Sequence, residues 1–157
     1  MPWHKQYLIM SIKLLNLVFK LTFNLNIMKI AVLIARILLG LIFVVFGFNF
    51  FFHFIPMAQP AMSDKAQAFS GGLFGSGYFF QYMKVIEITC GVGLLINRFT
   101  ALFVLVLFPI SLNIFLFHTL LAPAGMPMGL GVIVLNLFLG IAYFKYYKSI
   151  FTAVPTV

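Results

Sequence analysis

The sequence predicts an all-α fold, a polytopic four-helix transmembrane bundle with both termini in the cytoplasm. Of the 157 residues, 64% are hydrophobic and only 8% are charged, whereas soluble domains carry about 25% charged residues. The apolar residues form runs of about 20, the length that crosses the hydrocarbon core of a bilayer. Because Lys and Arg flank these runs, the net charge of +8 indicates contact with the lipid bilayer, and we expect no nucleic-acid partner.

Residues 1–28 form a segment in front of the predicted bundle. Lys5, Lys13 and Lys20 interrupt its apolar stretches before they reach spanning length. Lys13 and Lys20 are seven residues apart on one helical face, which is typical of an interfacial amphipathic helix. Alternatively, the segment is an upstream extension and translation starts at Met28. The sequence leaves both interpretations open.

The first span is predicted over residues 30–52. Arg36, Gly40 and Gly47 fall near one face of this helix, and two glycines on one face allow a neighbouring helix to approach closely. Arg36 either extends its side chain to the inner interface or pairs with Glu87 on another helix.

Residues 54–77 interrupt the apolar pattern. Their two prolines and four glycines argue against one continuous helix. Within this segment we predict a short helix around residues 63–69, because Ser63 is a suitable N-cap. The remainder is predicted to be a long loop.

Three further spans are predicted, at residues 78–96, 99–121 and about 127–144. Pro109 lies inside the third span and is expected to kink it, since proline removes one backbone hydrogen bond. Residues 122–129 are predicted to be a turn, and residues 149–157 a C-terminal tail.

The distribution of basic residues predicts the orientation of the bundle. Lys29, Arg98, Lys145 and Lys148 would lie on one side of the membrane, and Lys65 on the other. Because cytoplasmic segments are enriched in Lys and Arg, the first side is cytoplasmic. Both termini are then inside, and the long loop and the turn before the fourth span face outward.

Lys84 and Glu87 are charged residues inside the second predicted span. A charge at bilayer depth costs about 2.5–3.5 kcal/mol on insertion scales and usually has a partner in the bundle. The two residues are three apart and share one helical face. We expect other polar residues to converge with them on an outward-facing pocket with Glu87 at its floor, without an assigned catalytic residue or metal ligand. The candidate pocket residues are Glu87, Lys84, Arg36, Asn49, His53, Gln81, Asn113 and His118.

Two residue types bear on possible cofactors. His53 and His118 are on different helices at similar depth and could ligate a b-type haem, but single histidines near an interface are more often only hydrogen-bonded, so we expect no haem. Cys90 is the only cysteine. One chain therefore cannot form a disulfide, a C-x-x-C redox pair or a Cys-based metal site.

Several motifs together resemble the DoxX family of small bacterial membrane proteins. They are RxLLGLIFVVFGxNFF over residues 36–51, SGYF over 76–79, K-x-x-E-x-x-x-G-x-x-L-L-x-N-R-F over 84–99 and P-x-x-x-N-I-x-x-F-H over 109–118. The resemblance covers about residues 29–148. It implies a four-helix protein of the bacterial cytoplasmic (inner) membrane. Some members are tied to membrane oxidoreductase complexes, including quinone-linked sulfur-compound oxidation, and most have no assigned activity.

Three classes of function follow. The first is an accessory membrane subunit of a redox or quinone-linked complex, with a quinone or small thiol compound near Glu87 and a soluble redox partner or a second copy of the chain. The second is a small transporter in which Glu87 and Lys84 relay protons or bind a solute. The third is a structural bundle whose polar residues only fix helix packing. The chain holds no complete catalytic constellation of its own.

Overall fold

The structure, a computed structural model of the chain, describes the backbone of residues 3–56 and 62–147 and the side chains of residues 26–56 and 62–147. These residues form α-helices and short 3-10 turns and contain no β-strand, so the predicted all-α class is confirmed. Lys148 and the predicted tail 149–157 lie outside the described residues. The helices are α1 (Trp3–Phe52), α2 (Asp64–Gly75), α3 (Phe79–Leu95), α4 (Thr100–Leu120) and α5 (Met126–Ala142).

Helix α1 is longer than the predicted first span. It contains 50 residues and continues through Met28, where the sequence suggested a boundary. The chain divides between Ile34 and Ala35 into two compact units, and helices α2–α5 belong to the second. The side chains of Lys13 and Lys20 lie outside the described ones, so the interfacial face of residues 1–28 stays a prediction.

Within the part of the chain that the structure describes, three helical segments are long and apolar enough to cross a membrane, judged by length and composition. They are Asn26–Phe52, Thr100–Leu120 and Pro123–Ala142. The first two agree with predicted spans, and α4 continues through Pro109. The last begins earlier than predicted, because residues 123–125 form a 3-10 turn that leads directly into α5. Pro127 is compatible with this start, since a proline in the first helical turn loses no internal hydrogen bond.

Helix α2 is the short helix predicted within the long loop. The Ser63 hydroxyl caps it by accepting a hydrogen bond from the Ala66 N–H at 3.2 Å. The predicted end near Phe69 is wrong, because the helix continues through two glycines to Gly75. Ring packing offsets the low helix propensity of glycine: the Phe74 ring lies 4.3 Å from the ring of Phe80 in α3.

Small residues allow α1 and α3 to pack at close range. A Cβ atom on Gly91 would lie 2.9 Å from the backbone oxygen of Gly40 and 2.8 Å from Val44 Cγ2. The two backbones thus approach where neither helix carries a side chain. The predicted role of Gly40 in close helix packing is confirmed. Leu39, Phe43 and Leu94 are almost completely buried in the core.

The remaining helices pack in chain order. The Phe103 ring of α4 occupies the space beside Gly93 of α3, where a Cβ atom would be only 1.9 Å from the ring. Asn136 of α5 donates a hydrogen bond to the Val104 carbonyl of α4 at 3.3 Å. Helix α2 lies at one end of this arrangement, because Ser63 also donates to the Leu121 carbonyl. We call this the α2 end, and the end with residues 97–99 and 143–147 the turn end.

Candidate functional site

A buried ion pair on α3 is the centre of the candidate site. The Lys84 Nζ atom lies 2.7 Å from Glu87 Oε2. The carboxylate side chain is 2% exposed and the lysine side chain 19%. The pair forms within one helix because residues i and i+3 are neighbours on its surface. The structure therefore contains the Lys84–Glu87 pair that the spacing predicts.

Only one oxygen of the Glu87 carboxylate is used. Glu87 Oε1 is buried and has no hydrogen-bond partner among the described residues. An ionised carboxylate can accept up to about four hydrogen bonds, and a buried acceptor without a partner costs about 1–3 kcal/mol or more when charged. The site therefore retains an acceptor that a donor group could satisfy.

A second unsatisfied oxygen lies at similar depth on the neighbouring helix. Ser111 is fully buried, and its Oγ atom likewise has no partner in the described part of the chain. Glu87 lies about 12 Å from the turn end of α3, and Ser111 about 16 Å from the turn end of α4, at about 1.5 Å per residue. We did not select Ser111 from the sequence. A serine within an apolar helix can indicate a binding site, but it is equally compatible with a role in helix packing.

Aromatic and small residues pack on α3 on either side of the ion pair along the sequence. Phe80, four residues before Lys84 on the same face of α3, lies in a cluster with Phe50 and Phe74, whose ring centroids are 6.1 and 4.3 Å from its own. Gly47 of α1 packs directly on Ile88. These apolar groups lower the local dielectric, which strengthens both the ion pair and any hydrogen bond made to Glu87.

The predicted pairing of Arg36 with Glu87 is wrong. Arg36 is buried, and its Nη1 atom donates to the carbonyl of Leu94 and, at 3.3 Å, to that of Leu95. These carbonyls belong to the last turn of α3, where basic groups are favoured. They lie about seven residues, or about 10 Å, from Glu87 along the helix. Arg36 therefore fixes the end of α3 and does not neutralise the carboxylate.

Asn49 has a structural role at the end of α1. Its side chain is buried and accepts a hydrogen bond from the Ile55 N–H at 2.6 Å. Its amide also donates to the Ile55 carbonyl at 3.2 Å. This double contact holds the segment that leaves α1. The side-chain oxygen and nitrogen of Asn49, which were predicted to line a pocket, are therefore occupied.

Among the described residues, none of the other candidates is hydrogen-bonded to Glu87. His53, Gln81 and Asn113 are exposed. His118 is partly buried, and its Nδ1 atom lies 3.3 Å from the Ala122 carbonyl. The structure thus joins Lys84 and Glu87, whereas a polar pocket that includes the remaining residues stays a prediction.

The geometry of the pair limits its chemistry. Glu87 can accept a hydrogen bond or a proton at Oε1 while Lys84 holds Oε2. Such a site suits a ligand with a hydroxyl or protonated nitrogen, or a step in which a proton is taken up. Cys90, one turn further along α3, is buried and free.

Comparison with known proteins supports the resemblance drawn from the motifs. The family model described as DoxX matches residues 31–120, from the apolar half of α1 to the end of α4. The match includes Lys84, Glu87 and Ser111. No curated protein and no solved structure matched the chain. The family and the apolar helices together indicate an integral membrane protein.

Proposed function

The chain belongs to the DoxX family, and from this premise we propose that residues 29–148 form a four-helix domain of the bacterial inner membrane. Its spans are the apolar part of α1 together with α3, α4 and α5. Helix α3 has 17 residues, about 25 Å, the lower end of the spanning range. It packs against α1 and α4, both candidate spans, which supports the same depth for all three helices.

The orientation that we propose places the turn end in the cytoplasm. Arg98 and Lys145 are at this end, whereas the α2 end carries the oppositely charged neighbours Asp64 and Lys65. An excess of basic residues marks cytoplasmic segments. Both termini are then cytoplasmic, and α2 lies on the outer face.

The function we propose is that of an accessory membrane subunit of a redox or quinone-linked complex. The observation that carries this proposal is the buried Glu87 carboxylate with one oxygen on Lys84 and the other without a partner. A hydroquinone presents O–H donors, and its oxidation releases protons. Glu87 Oε1 would accept a hydrogen bond from one hydroxyl group and then its proton, in an apolar environment that favours the contact. The proton of the other hydroxyl group would pass to water.

The proposed role is in binding and proton transfer. The chain has a single cysteine, so one copy cannot cycle between a dithiol and a disulfide. We propose that electrons pass to a redox centre of a partner, either a soluble protein or another membrane subunit. The partner would approach from the α2 end, because Lys84 lies closer to this end of α3 than to the turn end.

Quinol binding by the purified full-length chain in lipid nanodiscs tests this function. A short-chain ubiquinol is titrated into wild type, Glu87→Gln and Asp64→Asn, and binding is measured by calorimetry. Glu87→Gln should bind about 10–100-fold more weakly, because a hydrogen bond to a charged group contributes about 1.5–3 kcal/mol. Asp64→Asn is the matched control, since Asp64 is the only other acidic residue. Equal affinity of Glu87→Gln and wild type would contradict the proposal.

A second candidate is proton or solute transport. The 19% exposure of the Lys84 side chain favours it, because the pair is then not completely enclosed by the protein. Flux into proteoliposomes that contain only this chain separates the two functions. Flux that is lost in Glu87→Gln, without quinol binding, would favour transport. Absence of both activities would favour a structural role.

A further inference from the structure

A pocket lies at the turn end, far from Glu87. It has a volume of about 540 Å³, within the range of about 300–1,000 Å³ typical of small-molecule sites. Leu102 and Leu105 of α4 form part of its apolar wall, and Tyr143 and Tyr146 lie across from them. Phe99 belongs to its edge and remains 75% exposed.

Asn97 supplies the hydrogen-bond donors that this pocket offers to an anion. Asn97 lines the pocket, and its Oδ1 atom already accepts a hydrogen bond from Thr100 at 3.1 Å. The side-chain N–H groups of Asn97 can therefore donate hydrogen bonds to an acceptor group of a ligand in the pocket. The Tyr147 hydroxyl, in contrast, already donates to the Ala101 carbonyl at 2.9 Å.

Two basic residues, Lys145 and Arg98, adjoin residues that line the pocket. Lys145 Nζ lies 4.8 Å from the centroid of the Tyr146 ring, which is part of the pocket wall. Arg98 is between two lining residues in the sequence. Neither cation is in an ion pair among the described residues. The two acidic side chains of the chain are elsewhere, Glu87 with Lys84 and Asp64 in α2.

We propose that this pocket is a binding site for one anionic phospholipid. Its phosphate group accepts hydrogen bonds from Asn97 and the two cations, and one acyl chain lies along Leu102 and Leu105. The Asn97 amide, with Arg98 and Lys145 adjacent to lining residues, complements a phosphate, and the leucines complement a hydrocarbon chain. The location also fits, because residues 97–99 and 143–147 follow directly on membrane-spanning helices, at the level of lipid headgroups.

Native mass spectrometry of the full-length protein tests this site. Phosphatidylglycerol and phosphatidylcholine with the same acyl chains are added at equal concentration. Wild type should retain one phosphatidylglycerol molecule in preference to phosphatidylcholine. Each of Arg98→Gln and Lys145→Gln should weaken this binding about fivefold, and the double variant about 30-fold. Lys65→Gln removes a cation at the α2 end and should change nothing.

The apolar half of the site has its own control. Leu105→Trp fills the pocket and should abolish the preferential retention of phosphatidylglycerol. Leu112→Trp is the control and should leave this preference unchanged. Leu112 is also in α4 and has nearly the same exposure (38% against 39%), but it lies outside the pocket lining. Equal retention of the two lipids, or no effect of both Leu105→Trp and the double charge variant, would overturn the proposal. Displacement of phosphatidylglycerol by millimolar inorganic phosphate would also overturn it, since the site would then bind a free anion.

Discussion

Replacement of Glu87 with glutamine removes the negative charge of the buried pair and keeps the size of the side chain. Lys84 then has no anion within reach, because the structure contains no second acidic residue near α3 and Asp64 is in the first turn of α2. The glutamine oxygen can still accept a neutral hydrogen bond. The expected loss of stability is therefore limited to the charge-dependent part of the Lys84–Glu87 interaction.

The magnitude follows from the exposure of the two side chains. Removal of one partner from a fully buried pair costs about 3–5 kcal/mol, and loss of a charge-assisted hydrogen bond about 1.5–3 kcal/mol. Glu87 is buried, but the Lys84 side chain is 19% exposed and can extend its ammonium group toward the α2 end. We expect Glu87→Gln to lower the free energy of unfolding by about 2–3 kcal/mol. For a chain of this length, that loss lowers Tm by about 4–12 °C.

Thermal and SDS-induced unfolding in detergent micelles measure this loss. The double variant Glu87→Gln with Lys84→Met removes the unpaired ammonium group and should recover about 1–2 kcal/mol. Asp64→Asn is the matched control and should cost less than about 1 kcal/mol, since Asp64 is exposed at the start of α2. If Glu87→Gln were as stable as wild type, the ion pair would not stabilise the bundle.

Three further predictions concern the fold. Gly91→Ala should destabilise the α1–α3 contact by about 1–3 kcal/mol, because its Cβ would lie 2.9 Å from the Gly40 oxygen; Gly140→Ala, with open space around it, should be neutral or slightly stabilising in the same melt. Burial raises the pKa of Tyr147, and Tyr143 raises it further, so Tyr147 contributes stability below pH 10 that is lost as the pH rises through its folded pKa; a melting series from pH 8 to 12 should show this loss in wild type and a smaller one in Tyr147→Phe. A reporter fused after Lys148 should be cytoplasmic and one at Asp64 external, and the reverse pattern would invalidate the orientation.

Local spacing predicted the parts of the structure that form within one helix. The Lys84–Glu87 pair follows from i,i+3 geometry, and the start of α2 follows from the capping chemistry of Ser63. The extent of α2 could not be predicted, because contacts of Phe74 with another helix offset the glycines near its end. Tertiary packing overrides local propensity in such segments.

Contacts between helices were harder to predict. Depth in the membrane placed Arg36 within reach of Glu87, but the side chain meets the carbonyls at the end of α3 instead. Distances along separate helices do not fix their rotation and register, which depend on packing around Gly40 and Gly91. The pocket at the turn end could not be predicted, because its lining residues from the start of α4 and from the segment after α5 meet only after folding. The sequence does show a cluster of tyrosines near Lys145. From sequence alone, however, such a cluster predicts only the interfacial end of a membrane-spanning helix.

Infrared spectroscopy of the Glu87 carboxyl group tests the central claim most directly. Asp64→Asn leaves Glu87 as the only side-chain carboxyl group in the chain, so its absorption can be assigned by comparison with the double variant that adds Glu87→Gln. The account predicts an ionised carboxylate at neutral pH whose bands shift when the short-chain ubiquinol is added. A neutral carboxylic acid band would contradict the ion pair with Lys84, and a carboxylate band that does not respond to ubiquinol would contradict the proposed site.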